Sequence, residues 1–319
     1  MSLILDPAAT PDAPTAICIM GPTATGKTEL AMSLHEALPC DIISVDSAMV
    51  YRELDIGSAK PSAAELARAP HRLIDIVSVS EPYSAGRFRE DALREMQQIT
   101  ESGRIPLLVG GTMLYFRALQ QGIASLPQAD EAVRARLEAE AAEQGWQALH
   151  DRLAAIDPES ARRIHPNDPQ RLQRALEVYE ITGKTLSTLW QEQARSALSF
   201  HWVKIALMPP DRSVLRKRIA ERFDAMLAAG LVEEVRGLYQ RRDLHGDLPA
   251  MRAVGYRQVW QYLAGEFDYE TMREKAIIAT AQLAKRQMTW LRSEQNCNFI
   301  DPAELDVPKL LKSLRNLLL

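Results

Sequence analysis

Eight residues near the start of the chain, GPTATGKT from Gly21 to Thr28, match the pattern GxxxxGK[ST] in full. Each fixed position has a chemical use. Gly21 and Gly26 let the backbone through Pro22, Thr23, Ala24 and Thr25 curl until successive N–H groups face an anion, and the helix that follows adds its positive end. Lys27 supplies a point charge to a terminal phosphate, and the Thr28 hydroxyl is suited to Mg²⁺. The expected ligand therefore carries two or more phosphates. The loop does not say which phosphates, or what is transferred, because small-metabolite kinases, nucleotide-hydrolysing switches and a few transferases all use it.

Other residues could do chemistry beside such a loop. Asp46 ends the apolar run DIISVDS, at the edge of a sheet where ligands gather in open α/β folds. It could bind Mg²⁺, cap a turn, or orient an attacking amine and take its proton. Thr112 follows Gly110 and Gly111 and reads as a helix cap. Asp75, in LIDIV, resembles a strand-end metal ligand, with a structural role favoured. Arg212, Arg216, Lys217, Arg218 and Arg222 crowd one helical region; Arg218 and Arg222 lie one turn apart and could both reach a leaving pyrophosphate. Cys18, Cys40 and Cys297 are scattered, which argues against a metal site or a disulfide framework.

The elements that must carry these residues alternate. AICIM, DIISVDS, RLIDIV and IPLLVGG read as strands, with helical patterns over KTELAMSLHEAL and Ser84 to Glu101, so a parallel sheet covered on both faces is expected. From Asp130 to Gln193 the pattern is helical throughout. Val133, Leu137 and Ala141 recur at helical spacing, Gly145 interrupts, and Trp146, Leu149 and Leu153 resume. Asp168-Pro169 is a strong helix start and Gly183 a stop. HWVKIALMPP returns to a strand, and helices are expected over Asp211 to Gln240, Ala250 to Gly265 and Tyr269 to Arg292. The expected fold is thus α/β: a P-loop NTPase-like parallel sheet core flanked by helices, with an all-helical insertion. Residues 16–121 and 200–319 would form the core, 122–199 the insertion and 1–15 a loose leader.

Bulk properties set limits. Apolar residues make up 46% and charged residues 25%, ordinary for a globular chain. A net charge of −4 argues against coating nucleic acid by bulk charge, while leaving room for a local basic groove. No run approaches the ~20 apolar residues needed to span a bilayer, so a soluble, cytoplasmic protein without a membrane partner is expected.

GPTATGKT, DIISVDSAMVYRELDIGSAKP, HRLIDIV and LLVGGTMLYFRAL resemble, in order, the blocks of the bacterial tRNA dimethylallyltransferase family, also called tRNA isopentenyltransferase. DPQRLQRALEVYEITG, the RxxxRF of Arg218 to Phe223, MRAVGYRQ and AKRQMTWLR continue the resemblance to Arg292. It implies transfer of a dimethylallyl group from dimethylallyl diphosphate to the exocyclic amine of the adenosine 3′ to the anticodon, in tRNAs reading codons that begin with U. By resemblance Asp46 is the base, Arg222 the better contact for pyrophosphate, and Thr112 faces the tRNA. The diphosphate would sit on residues 21–28, with Mg²⁺ at Thr28 and Arg218 as a further contact.

For the tRNA anticodon stem-loop, the resemblance implies four stretches: Asp46, Ser47, Ala48 and Met49; Gln170, Arg171, Leu172, Gln173 and Arg174; Arg252, Ala253, Val254, Gly255, Tyr256 and Arg257; and Lys285, Arg286, Gln287, Met288, Thr289, Trp290, Leu291 and Arg292. Arg134 is carried over on resemblance alone. Tyr256 and Trp290 could stack on bases, though core packing is the default for both. A monomer without an obligate protein partner is expected. The Cys/His zinc finger of many eukaryotic relatives has no counterpart in the sequence. Other readings are an adenylate isopentenyltransferase acting on free nucleotides, an ATP-dependent P-loop metabolite kinase, and a P-loop switch ATPase.

Overall fold

A computed structural model describes residues 3–4, 12–122, 126–127, 130–193 and 200–318. The expected leader, 1–15, lies mostly outside these residues. The elements run β1 (Thr15–Met20), α1 (Lys27–Ala37), β2 (Cys40–Val45), α2 (Ala63–Arg68), β3 (His71–Arg72), α3 (Ala85–Glu101), β4 (Ile105–Gly110) and α4 (Met113–Gln121). There follow α5 (Glu131–Gln144), α6 (Trp146–Ile156), α7 (Pro158–Arg163), α8 (Pro169–Thr182) and α9 (Leu186–Gln193). The chain then continues through β5 (His201–Leu207), α10 (Arg212–Ala228), α11 (Leu231–Tyr239), α12 (Tyr256–Leu263), α13 (Tyr269–Leu291), β6 (Cys297–Ile300) and α14 (Val307–Leu318).

Two compact units result, one from residues 1–116 and 199–319, the other from 117–198. In the first, six strands pair in the order β3-β2-β4-β1-β5-β6, all parallel. The inner strands are largely apolar and almost wholly buried, as a sheet covered on both faces demands. Leu30 and Leu34 of α1 pack with Leu310 and Leu314 of α14 and the sheet residues Ile17, Ile19 and Ile205 in one buried cluster. Because β1, β4 and β2 are adjacent and parallel, their carboxyl ends bring the phosphate loop, Gly111-Thr112 and Asp46 to one edge of the sheet.

The regular elements of the second unit among the described residues are all helices, with Leu137, Leu149, Leu153, Leu172 and Leu176 in its core. Asp168 caps α8 by accepting the Arg171 N–H at 3.3 Å, Pro169 takes the first helical position, and Gly183 ends the helix in a left-handed conformation.

The expected strand RLIDIV is corrected. Only His71 and Arg72 pair with β2, because Leu73 (φ 62°) and Asp75 (φ 57°) leave the extended conformation. Asp75 instead binds Lys60 at 2.5 Å, the structural role favoured for it. The helix expected over Asp211 to Gln240 is broken at Gly230 into α10 and α11, and that over Ala250 to Gly265 begins only at Tyr256. The final strand and helix, β6 and α14, were absent from the expectation. No helix among the described residues is long and apolar enough to cross a membrane. The three cysteines are buried and none is in a disulfide, and burial pushes the Cys40 and Cys297 thiols up to about 12.

Candidate active site

The phosphate loop joins β1 to α1. Its curl needs Gly26, whose φ of 85° lies in the left-handed region that costs a side chain roughly 1–2 kcal/mol. The Thr25 hydroxyl and the Lys27 ammonium both donate to the Pro22 carbonyl, at 2.8 and 2.7 Å. Burial lowers the Lys27 pKa to about 8, with Asp46 opposing and Arg222 adding to the shift. Residues 23–28 line a chamber of about 320 Å³ at the mouth of the loop.

Asp46 follows β2. Its Oδ1 accepts the N–H groups of Ala48 and Met49, at 2.8 and 3.3 Å. The capping role is therefore real, yet it uses one oxygen; Oδ2 has no hydrogen-bond partner among the described residues. Thr112 precedes α4, but its hydroxyl reaches across to the next strand end, accepting the Ser47 N–H at 3.1 Å. That bond ties the ends of β2 and β4 together.

A second chamber, of about 540 Å³, also borders Asp46. The two share six lining residues: Thr23, Asp46, Ser58, Gly111, Arg222 and Gln287. Asp46 and Arg222 thus stand where a ligand in the phosphate chamber and a ligand in the larger one would meet. Burial lowers the Arg222 pKa while Asp46 opposes the shift, so the two charges face each other across this junction. Arg218, one turn earlier, is exposed and lines neither chamber. It borders a shallower pocket with Ala24, Thr25 and Gly26.

The family model for IPP transferases matches residues 49–294. A tRNA dimethylallyltransferase of Thioalkalivibrio sulfidiphilus is 61% identical over 305 residues, covering 96% of this chain and 95% of that protein. The chain belongs to the IPP transferase family. A tRNA dimethylallyltransferase of Alkalilimnicola ehrlichii is 62% identical over 285 residues, 89% of this chain and 90% of that one. Among solved structures, the tRNA isopentenylpyrophosphate transferase of Bacillus halodurans superposes with a TM-score of 0.69 at 38% identity, over 95% of each chain. A eukaryotic dimethylallyltransferase acting on tRNA gives 0.79 at 26% identity, over 96% of this chain and 78% of that one.

The stretches assigned to tRNA divide by exposure in this transferase. Asp46, Ser47, Ala48, Arg252, Ala253, Val254, Gly255, Arg286 and Trp290 all border the larger chamber; Met49 borders the smaller one. Arg257, Thr289 and Arg292 are exposed. Lys285 lies in a groove with Arg212 and Arg216 instead. Tyr256, Met288 and Leu291 are at most 1% exposed, so their side chains are core and Tyr256 is no stacking platform. In the helical unit Gln170 and Arg171 are exposed, whereas Leu172 is buried. Arg134 and Arg174 both bind the fully buried Glu177, at 2.9 and 2.6 Å, and Gln173 donates to the Arg134 carbonyl.

Gln287 has a second task that residue type could not reveal. Its Oε1 accepts the Thr23 N–H at 3.2 Å and its amide nitrogen donates to the Gly111 carbonyl at 2.8 Å. One side chain of α13 thus braces the phosphate loop against the end of β4. Ser58, which lines both chambers, was also missed; it sits in DIGSAKP, inside a block that carried the resemblance, but was not singled out as a site residue.

Proposed function

We propose that this transferase moves a dimethylallyl group from dimethylallyl diphosphate to the exocyclic amine of the adenosine 3′ to the anticodon in tRNAs reading codons that begin with U. The observation that carries the reading is the junction of two chambers at Asp46 and Arg222, with a complete phosphate loop on one side only. A diphosphate held by the loop would point its allylic carbon at that junction.

The adenine amine is a poor nucleophile, because its lone pair is delocalised into the ring. A target base must first leave its stack and enter the larger chamber. Oδ1 of Asp46 is fixed by two amides, which leaves Oδ2 to orient the amine and accept its proton as the N–C bond forms. The loop amides, Lys27 and Arg222 stabilise the negative charge that develops on the departing pyrophosphate. No phosphoryl group moves.

The residues present fit a magnesium ion. Mg²⁺ takes six oxygens and keeps several waters and phosphate oxygens among them, so it needs few protein ligands. The Thr28 hydroxyl borders the phosphate chamber, and no cluster of three acidic, His or Cys groups is found among the described residues. Thr28 would hold the ion, which when bound neutralises charge on the diphosphate.

Basic residues in each unit, Arg252, Arg286 and Arg292 in the first and Arg134 and Arg171 in the second, suit the RNA backbone despite the net acidity. The test is incubation with dimethylallyl diphosphate labelled in its carbon chain and either unmodified tRNA, AMP, or ATP with small acceptors. Label entering tRNA alone supports the proposal. Label entering AMP favours the free-nucleotide reaction, and ATP turnover without prenyl transfer refutes both.

A further inference from the structure

Two walls of the larger chamber come from segments almost two hundred residues apart. Gly57 and Ser58 form part of one; Ala253, Val254 and Gly255 form part of the other. Neither segment is a helix or strand, so each needs something behind it to hold its shape.

That support is a single carboxylate. Three successive N–H groups, of Asp55, Ile56 and Gly57, converge on Glu234 of α11. The first two donate to Oε2 at 3.2 and 2.8 Å, the third to Oε1 at 3.3 Å. Successive amides turned to one side make an anion-binding concavity, and here the protein fills it with its own side chain. The fourth donor is the Tyr256 hydroxyl, 2.5 Å from Oε1. Tyr256 directly follows Gly255 and is 1% exposed. Its ring lies against the other wall: a Cβ on Gly57 would sit 2.6 Å from Tyr256 Cε2 and 2.8 Å from a Leu231 methyl. Glycine at this position is what lets the two segments approach.

We infer that Glu234 and Tyr256 are positioning residues for the acceptor: by binding both walls at once they set the width of the chamber in which the target base is held against Asp46. Neither touches substrate. A carboxylate suits the task because it accepts from all four donors simultaneously. An amide in its place turns a donor toward at least one of them, and a donor facing a donor leaves a part-buried N–H or O–H unsatisfied. The phosphate loop itself is braced separately by Gln287, and of the held segments only Ser58 also borders the phosphate chamber, so the pair acts chiefly on the acceptor side.

The kinetic readout rests on the proposed reaction; a second readout does not. In Glu234→Gln and Tyr256→Phe, kcat with saturating tRNA should fall about tenfold or more, since displacement of a reacting group by about an ångström costs up to about a hundredfold. The dissociation constant for dimethylallyl diphosphate should stay within about twofold, and the double variant should lose little more than the worse single one, as expected of two groups in one network. Amide exchange over residues 55–58 and 252–255 should quicken in both variants. Tyr256→Phe keeps the buried ring, so it separates the hydroxyl's role from packing. Unchanged kcat in both variants, additive losses, or diphosphate binding that falls in step with kcat would overturn the inference. If wild-type protein transfers nothing to tRNA, the reaction is misassigned. The exchange rates then decide the wall role alone: quicker exchange upholds it and unchanged exchange overturns it.

Discussion

Lys27 titrates near neutrality because burial strips water from its ammonium and Arg222 adds repulsion, while attraction to Asp46 recovers only part of the loss. With a pKa of about 8, it is about nine-tenths charged at pH 7 and about one-tenth charged at pH 9. If only the charged form grips the diphosphate, affinity for dimethylallyl diphosphate falls about tenfold between these pH values, about 1.4 kcal/mol. Binding near pH 8.5 should also draw a proton from solution, because the bound anion restores the charge. Titration calorimetry at pH 7, 8 and 9, in two buffers of different ionisation enthalpy, measures both quantities. Lys27→Met should bind weakly at every pH, without the slope and without the proton uptake. The free protein should show the opposite trend in stability. The folded pKa lies below the ordinary value of 10.5, so between about pH 8 and 10.5 the unfolded chain holds more protons, and stability rises with pH in that window. Wild-type affinity that is flat from pH 7 to 9, or an equal slope in Lys27→Met, would refute the reasoning.

Three further outcomes are expected. Asp46→Asn keeps an oxygen for the amides of Ala48 and Met49 but removes the base, so transfer should fall about 10²–10⁴-fold with diphosphate binding retained, measured by single-turnover kinetics and calorimetry. Arg222→Ala should lower kcat about 10²–10³-fold, as loss of one charge-stabilising donor does, whereas Arg218→Ala, outside both chambers, should leave kcat near wild type; equal losses would place both on the pyrophosphate. Glu177→Gln weakens the hold on Arg134 and Arg174 and should destabilise the helical unit by about 1–3 kcal/mol in urea denaturation.

The sheet was legible because its inner strands are continuous apolar runs, and the phosphate loop because its backbone demands particular residues at particular spacings. RLIDIV misled for the same reason: its apolar residues pack around a loop whose positive φ angles leave no trace in hydrophobicity. The final strand, CNFI, is short and follows a long helix, too little pattern to separate from a turn. Within the site, Asp46 and Thr112 could be placed because each ends a strand. Glu234 could not. Three of its four partners are backbone amides 177 to 179 residues away, and an amide carries no sequence signature. Gln287 was visible as part of a block, but its contact with the phosphate loop depends on how α13 crosses the sheet edge. Burial likewise sorted residues that two helical stretches had grouped, turning Leu172, Met288 and Leu291 inward while Arg171, Thr289 and Arg292 stay exposed.

The proposed reaction transfers a five-carbon group whole to one adenosine of tRNA. The measurement is tandem mass spectrometry of tRNA cut by a ribonuclease into oligonucleotides, after incubation with the protein, dimethylallyl diphosphate and Mg²⁺. The expected product is an oligonucleotide whose adenosine immediately 3′ to the anticodon is heavier by one five-carbon unit, absent with Asp46→Asn. Unmodified tRNA in the presence of wild-type protein, or a phosphate in place of the prenyl group, would contradict it.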